Sequence, residues 1–377
     1  MTRTPLNIAA FTGGQTVPSA RFRVRQYIDP LKSHGLMVQE FPSRAGQYPP
    51  PSLWKRPPWL LATILERVPH ILKSRKFDLI LFQRELVSTL LTLEPYFAGP
   101  RLLDVDDAIW LHKRGGFAAR LARLSDGVIC GNSFLQSYFD DLGCRTWLLP
   151  TAVDSDRFSP KADERTGPPV IGWSGSGGNL IQLERLEPAL AMVFLKNKSA
   201  RLRVICNRPP HFQNLDADRV DYVRWSPENE VSALQDLSLG LMPIEDNDWS
   251  RGKCSYKMLT YMACGLPVVV SPIGMNAELL AMDEIGFGAA TQGDWLSRSP
   301  PCSRIPIWGK KWAKGAAGWL SRISASRIFH PGWQTFFALS PLDLPRQQEG
   351  ALRNGSADIG PSYDHRPWSR RRGTYAL

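Results

Sequence analysis

The amino-acid sequence predicts an α/β protein with two tandem Rossmann-like domains that face a central cleft, followed by an irregular C-terminal tail. Short apolar runs alternate with helix-length segments, as in βα units, and this alternation stops at a polar, Pro-rich segment before it starts again. A length of 377 residues suits two domains of about 150 residues each. Ligands of such domains bind at the carboxyl ends of the strands and in the cleft.

The first domain is predicted over residues 1–158. Its expected strands are the apolar runs LNIAAFT, FDLILFQ, RLLDVDD, GVICGN and TWLLPTAV. Helical patterns lie between them, such as RFRVRQYIDPLKSHG, which ends at a glycine, and SFLQSYFDDLG, which begins at Ser133. A parallel sheet covered by helices is therefore expected.

The second domain is predicted over residues 170–293, after a linker at 159–169 that is polar, rich in proline and without periodicity. Its expected strands are VIGWSGSGG, RLRVICN, LSLGLMPI and VVVSPI. Its expected helices include NLIQLERLEPALAMVF and SPENEVSALQDL.

In the segment 294–377, apolar runs and helix-length segments no longer alternate. From Leu296 onward there are 13 Lys and Arg against 4 Asp and Glu, so +9 of the net charge of +11 lies in the last 82 residues. Three interpretations stay open: a basic extension with its own role, a tail that never packs, and the product of an altered reading frame that replaces the closing helices of the second domain.

The charge distribution, the cysteine pattern and the lengths of the apolar runs argue against several classes of function. Residues 1–295 are nearly neutral and carry no basic stripe interleaved with aromatic residues, so no nucleic-acid partner is expected. The six cysteines form no C-x-x-C pair, so neither disulfides nor structural zinc is expected. There is no run of 18 uncharged apolar residues and no signal-peptide pattern, so the cytoplasm is the expected location.

The segment WKRPPWLLATILERVPHILKSRK is basic, aromatic and amphipathic. Such a helix suits an anionic membrane surface, so a peripheral membrane location is one interpretation. A helix that simply covers the first sheet is the other.

A helix predicted from about Gly252 to Cys264 carries Lys253, Lys257 and Thr260 on a stripe opposite its apolar face. Because this helix follows the strand LSLGLMPI, its N-terminal amides are expected at the carboxyl edge of the sheet, where a diphosphate is favoured. Arg251 would add positive charge there. A solvated lysine face is the alternative interpretation.

The loop GWSGSGGNL is a second candidate for phosphate binding. Gly175, Gly177 and Gly178 permit close approach of the backbone, and a helix is expected to start at Asn179. The loop lacks the lysine of a P-loop and the full G-x-G-x-x-G spacing. A tight turn between strand and helix is the alternative.

Several segments resemble one family of enzymes. MLTYMACGLPVVVSPIGMNAEL closely resembles the signature E-A-M-A-x-G-x-P-V-V-x-x-x-x-G-x-x-E of family 4 glycosyltransferases, which are retaining enzymes of the GT-B fold. PTAVDSDRF resembles the family's N-G-V-D-x-x-x-F segment. Further likeness in SARFRVRQYIDPLKSHGL, LILFQRE and LLDVDDAIW extends the resemblance over roughly residues 6–290.

The resemblance implies transfer of a sugar from a nucleoside-diphosphate sugar, held mainly by the second domain, to a carbohydrate or lipid-linked acceptor held mainly by the first. It implies no metal and no cofactor besides this co-substrate. It places four residues near the donor's phosphate and sugar: Gly274, Met275, Asn276 and Glu278. Where the signature has two glutamates, this sequence has Lys253 and Thr260, so the carboxylate that typically holds the ribose is missing.

Acidic residues follow one strand of the first domain. Asp106 and Asp107 are candidate catalytic residues, which would orient an acceptor hydroxyl or act as a base, with helix capping as the alternative for Asp107. Asp104 and Asp106 have D-x-D spacing, but no His/Asp/Glu cluster elsewhere completes a metal site, so no metal is expected.

Candidate acceptor-side residues border the first turn: Gly13, Gly14, Arg21 and Arg25. On one helix the two arginines would share a side and could meet an anionic group, with ordinary surface arginines as the alternative. For Glu85 a structural ion pair with Arg84 is expected.

The sequence thus predicts a glycosyltransferase of glycan or cell-envelope polysaccharide synthesis that stabilises a leaving diphosphate electrostatically. Two alternatives stay open: a non-catalytic nucleotide-sugar-binding protein of the same fold, and a nucleotide-sugar epimerase. The second would need acidic and histidine residues around the sugar, and the chain has six histidines.

Overall fold

The computed structural model describes residues 5–112, 115–161, 167–282 and 284–298. In these ranges the chain forms two six-stranded parallel sheets with helices packed on them, which confirms the predicted α/β class. None of the described helices combines the length and the apolar composition needed to cross a membrane.

The first sheet is formed by β1 to β6, in the order β2-β1-β3-β4-β5-β6. These strands are Leu6–Thr12, Leu36–Pro42, Leu79–Gln83, Arg101–Val105, Gly127–Cys130 and Thr146–Leu148. Helices α1 to α5 are Pro18–Arg23, Ile28–Lys32, Arg56–Ser74, Gly116–Leu124 and Ser133–Asp141. The strand order reverses between β1 and β3, so the ligand crevice of this sheet is expected where these two strands end.

The second sheet is formed by β7 to β12, in the order β12-β11-β10-β7-β8-β9. These strands are Val170–Gly175, Arg201–Cys206, Val220–Arg224, Leu239–Met242, Val268–Val270 and Gly286–Gly288. Helices α6 to α12 are Leu180–Glu184, Glu187–Lys196, Glu230–Gln235, Asp248–Arg251, Tyr256–Ala263, Met275–Met282 and Gln292–Arg298. Here the order reverses between β7 and β10, beside the glycine-rich loop that follows β7.

The central strands are apolar runs because helices cover both faces of each sheet. Every residue of β3 and of β11 is buried. One cluster of buried apolar side chains runs without interruption from Phe11 and Phe82 in the first domain to Met258 and Tyr261 in the second. The two domains therefore share a continuous core across the seam between them.

Helix α12 crosses the predicted end of the second domain at residue 293. Trp295 is 6% exposed and packs in the second domain's core. The second domain therefore extends at least to residue 298. The rest of the predicted tail, residues 299–377, lies outside the described residues.

Candidate active site

Helix α10 begins at Tyr256, so the prediction of a helix start near Gly252 is wrong. Ser255 has the left-handed backbone angle φ of 50°, which separates α10 from the short helix α9. Lys253 consequently lies in a loop. Thr260, predicted on the outward stripe, is 4% exposed, and its hydroxyl donates to the carbonyl of Lys257 at 2.8 Å.

The first domain covers the amino end of α10. Phe22 stacks on Tyr256 with ring centroids 4.3 Å apart, and the Cys254 thiol lies 3.3 Å from the carbonyl oxygen of Asp106. In this arrangement a diphosphate has no access to that helix end, contrary to the expectation from sequence. The Ser255 hydroxyl donates to the Asn276 side chain at 2.6 Å, which ties α10 to the start of α11.

The ammonium group of Lys257 faces the glycine-rich loop instead. Its Nζ lies over the Trp173 ring, 4.5 Å from the centroid, and a Cβ built on Gly175 would stand 2.7 Å from it. Within the described ranges, Lys257 forms no ion pair with a carboxylate. Burial, and secondly the charge of Lys253, lower the pKa of Lys257 to about 7.

The loop after β7 turns tightly before the next helix. Residues Gly177–Asn179 form a 3-10 turn, and α6 starts one residue later, at Leu180. The backbone N–H of Gly177 donates to the Asn207 side chain at 2.7 Å, and the exposed Arg208 packs against Gly177. Arg208 is not among the residues predicted from sequence, although its place just after strand β8, at the carboxyl edge of the sheet, is a usable signal.

Residues around the start of α11 mostly serve the fold. Gly274 has φ of 53°, and a Cβ there would stand 2.9 Å from the backbone of Arg251. Met275 is buried, and Asn276 is fully buried with its amide donating to the carbonyl of Ser271 at 3.0 Å. Glu278 is exposed and accepts a hydrogen bond from Ser133 of the first domain at 2.7 Å.

Arg251 does not join Lys257 as a free cation. Its guanidinium is 2.8 Å from a carboxylate oxygen of Asp246 and 3.3 Å from one of Asp248. The positive charge predicted for this loop is therefore neutralised locally.

Asp106 and Asp107 are held by one arginine at the seam between the domains. Arg84 donates to Asp106 at 2.6 Å and also to Asp107, and the second oxygen of Asp107 lies 3.8 Å from the Lys253 Nζ. Arg84 has φ of 62°, and the paired carboxylates raise its pKa well above the usual value despite burial. Asp106 is 4% exposed and the Asp107 side chain is 20% exposed, so Asp107 is the more accessible of the two carboxylates.

Glu85 does not pair with Arg84, contrary to the sequence prediction. It is 5% exposed. One carboxyl oxygen accepts from the Thr89 backbone at 3.1 Å, while the other has no hydrogen-bond partner among the described residues. The Gln47 side chain donates to the Glu85 carbonyl at 3.0 Å, and within the described part of the chain its own amide oxygen is also without a partner. Burial raises the pKa of Glu85. These groups lie behind Gly13, whose Cβ would overlap the Gln47 oxygen.

The two predicted acceptor-side arginines point to different partners. Arg21 binds Glu230 of the second domain through both guanidinium nitrogens, at 2.5 and 3.0 Å. Arg25 lies in a 3-10 turn after α1 and binds Glu40 at 2.7 and 2.8 Å. The helix predicted as one piece is therefore broken, and neither arginine is a free anion site. Gly14, with φ of 145°, forms the turn after β1.

No group of three or more His, Cys, Asp and Glu side chains that could hold a metal ion occurs in the described part of the chain. An apolar cavity lined by residues such as Ile8, Val24 and Leu102 lies inside the first domain, away from the strand ends. The candidate site is therefore the cleft edge formed by the glycine-rich loop, Lys257 and Arg208.

Comparison with known families matches this second domain. Residues 168–294 match the sequence model described as "Glycosyl transferases group 1". The matched segment, about a third of the chain, contains the glycine-rich loop, Lys257 and the start of α11. None of the curated proteins matches the chain.

Solved structures with the same fold are GT-B glycosyltransferases. An alpha-glucosyltransferase in complex with UDP has a TM-score of 0.63 and 10% identity, over 89% of this chain and 99% of the other. The Anabaena protein HepE in complex with UDP and glucose has a TM-score of 0.61 and 13% identity, over 89% and 100%. The lipopolysaccharide outer core galactosyltransferase WaaB has a TM-score of 0.54 and 12% identity, over 89% and 100%. At these identities the likeness shows the fold, and the family match identifies a group 1 glycosyltransferase domain at residues 168–294.

Proposed function

We propose that this glycosyltransferase moves a sugar from a nucleoside-diphosphate sugar to an acceptor hydroxyl, in the synthesis of a glycan or cell-envelope polysaccharide. One observation carries the proposal. The Lys257 ammonium is partly buried, has no counter-ion among the described residues and faces a glycine-rich loop at the carboxyl edge of a parallel sheet. A diphosphate placed there would supply the missing negative charge.

The chemistry follows from this charge. Breaking the bond between sugar and diphosphate leaves an extra negative charge on the leaving phosphate, and fixed positive groups lower the barrier by stabilising it. Lys257, Arg208 and the backbone N–H of Gly178 are the groups proposed for this role. Because burial has already lowered the pKa of Lys257, an arriving phosphate would restore its charged form.

The acceptor is proposed to bind at the first domain's strand ends. Asp107 is the candidate to orient the reacting hydroxyl, because it is less buried than Asp106. With Arg84 bound to both carboxylates, electrostatic positioning is better supported than proton abstraction. A carbohydrate or lipid-linked acceptor, a cytoplasmic location, membership of family 4 and retention of the anomeric configuration belong to the proposal as its finer parts.

UDP is the first nucleotide to test, because the alpha-glucosyltransferase and HepE structures hold it. Thermal shifts with UDP, GDP and ADP would rank the bases, since a ligand stabilises the folded state in proportion to its binding. Nucleotide release from a panel of sugar donors, with and without cell extract as acceptor, would then test transfer. The anomeric proton signals of the product would report retention or inversion.

The decisive variants are Lys257→Met and Lys257→Arg. We expect Lys257→Met to weaken nucleotide binding about tenfold to a hundredfold, as for loss of a charged hydrogen bond, and Lys257→Arg to retain part of the affinity. Lys196→Met, on the exposed end of α7, is the control. Unchanged affinity in Lys257→Met would refute this site, whereas binding without turnover on any donor would favour the non-catalytic alternative.

A further inference from the structure

Helix α3 is amphipathic with its apolar side outward. The residues it buries are polar: Thr63, Arg67 and Ser74. The exposed apolar stripe comprises Leu53 and Trp54 in the preceding turn and Leu61, Leu65, Val68 and Leu72 on the helix, which are between 43% and 77% exposed. An apolar face of this length, open to solvent, is typical of a surface that meets another apolar phase.

The inward face explains why the helix keeps this orientation. The Arg67 guanidinium donates to the carbonyls of Phe41 at 2.8 Å and Thr12 at 3.1 Å, at the ends of β2 and β1. The Trp59 indole donates to the Ala45 carbonyl at 3.0 Å, and Glu66 accepts from the Arg44 backbone at 3.0 Å. Rotating the helix to bury its leucines would break these bonds, so the outward stripe is fixed by the fold.

Positive charge flanks both ends of the stripe. Lys55 and Arg56 lie at its start, and Lys73, Arg75 and Lys76 at its end, all exposed. None of these five forms an ion pair within the described residues. Glu66 is the only acidic residue between positions 44 and 77.

We propose that helix α3 docks the protein on an anionic lipid surface, with the apolar stripe inserted among the acyl chains and the flanking lysines and arginines at the headgroups. The pairing of an apolar face with unneutralised cations favours lipid over a second protein, because a protein partner would need matching carboxylates as well as an apolar groove. Arg67 links this helix directly to the carbonyl of Thr12, next to the turn at Gly13. The docked surface would therefore be mechanically tied to the acceptor-side strand ends. This proposal does not depend on the sugar-transfer chemistry.

The test is partition of the full chain onto vesicles. We expect binding to vesicles of phosphatidylcholine with phosphatidylglycerol, weaker binding to phosphatidylcholine alone, and a decrease with added salt. The triple variant Leu61→Ser/Leu65→Ser/Leu72→Ser should lose at least about tenfold in partition on both kinds of vesicle. The variant Lys55→Gln/Lys73→Gln should lose about twenty-five-fold on the anionic vesicles only, since each lysine near such a surface contributes about fivefold.

The matched control is Leu195→Ser/Lys196→Gln on α7, where Leu195 is 71% exposed. It should bind vesicles as the unchanged protein does. Absence of binding to anionic vesicles, or equal loss in the control, would overturn the proposal. So would a dimer in solution that the triple variant dissociates, because the stripe would then be a contact between copies. If the triple variant fails to fold, the lysine variant and the salt dependence of vesicle binding test the proposal instead.

Discussion

The titration of a single residue, Lys257, is expected to make the free energy of unfolding depend on pH. Its pKa of about 7 in the folded protein lies below the ordinary value of 10.5, so between these values the unfolded chain holds a proton that the folded chain has lost. The free energy of unfolding should therefore rise with pH over this window. Lys257→Met removes the effect, so we expect it to melt a few degrees above the unchanged protein near pH 7 and at about the same temperature near pH 10.

Thermal melts across that pH range, without nucleotide, check this prediction. Lys196→Met serves as the control, because its side chain is exposed. If Lys257→Met lowered the melting temperature near pH 7, the buried ammonium would be a stabilising group rather than one held for a ligand. The site would then be reassigned.

Glu85 is expected to show the opposite pH dependence. Burial raises its carboxyl pKa, so between the unfolded and the folded value the native state holds a proton that the unfolded chain has lost. Its contribution to stability is present at low pH and is lost as pH rises through the folded value. Glu85→Gln keeps the acceptor for the Thr89 N–H and removes the ionisation. We expect it to melt above the unchanged protein near pH 8 and level with it near pH 4.

Differential scanning calorimetry at the two pH values is the measurement. Asp141→Asn, on the exposed end of α5, is the matched control and should show no such crossover. A variant that melts lower at both pH values would mean that the ionised carboxylate is bonded in the folded protein. The unpaired oxygen would then have a partner.

At the scale of elements, the loop between α9 and α10 is fitted against the first domain at a separation that only glycine allows. A Cβ at Gly131 would stand 2.3 Å from the Cys254 thiol, and one at Gly252 would stand 2.7 Å from Ala108. The Asn132 amide donates to the carbonyls of Arg251 and Lys253, at 3.1 Å in each case. We expect Gly131→Ala to destabilise the protein by about 1–3 kcal/mol through overpacking.

The double variant Gly131→Ala/Cys254→Ala tests the cause, because it removes the sulfur that the new methyl group would strike. It should recover most of the lost stability in urea denaturation, with a clear coupling energy between the two sites. Gly116→Ala, where the added carbon meets open space, is the control. Loss of stability that Cys254→Ala does not relieve would place the strain in the backbone instead.

The same elements show what sequence could predict. Strands β3, β10 and β11 are buried at every position, so each is a largely apolar run that identifies it locally. β2 and β9 escaped prediction because they lie at sheet edges and mix exposed polar with half-buried residues. The start of α10 depends on the left-handed Ser255 and on the docked first domain, and neither leaves a periodic signal. The glycine-rich loop and Lys257, which form the proposed diphosphate site, could be selected from sequence because glycines and a lysine mark them directly.

At the scale of the whole molecule, one carboxylate joins the two domains. Glu230 on α8 accepts from Arg21 at 2.5 Å and from Arg157 at 3.0 Å, and both arginines belong to the first domain. The Arg21 guanidinium also lies 5.6 Å from the Trp225 ring. Sequence could not reveal this bridge, because Arg21 lies 209 positions and Arg157 lies 73 positions before Glu230 in the chain. The bridge forms only once both domains have folded and met, so its strength is a property of the assembled fold.

Removing this carboxylate should loosen the domains. In Glu230→Ala two arginines would face each other without their shared counter-ion, and their repulsion, together with the lost charged hydrogen bonds, should cost about 1–3 kcal/mol at the seam. We expect a larger radius of gyration by small-angle X-ray scattering and faster proteolysis in the segment 159–169, which the sequence predicts as a linker. Asp221→Ala, which breaks an ion pair with Arg201 inside the second domain, is the control and should leave both readouts unchanged. Arg21→Ala should act more weakly than Glu230→Ala, because Arg157 still binds the carboxylate. If Glu230→Ala had the same radius of gyration as the unchanged protein, the shared apolar core alone would close the cleft.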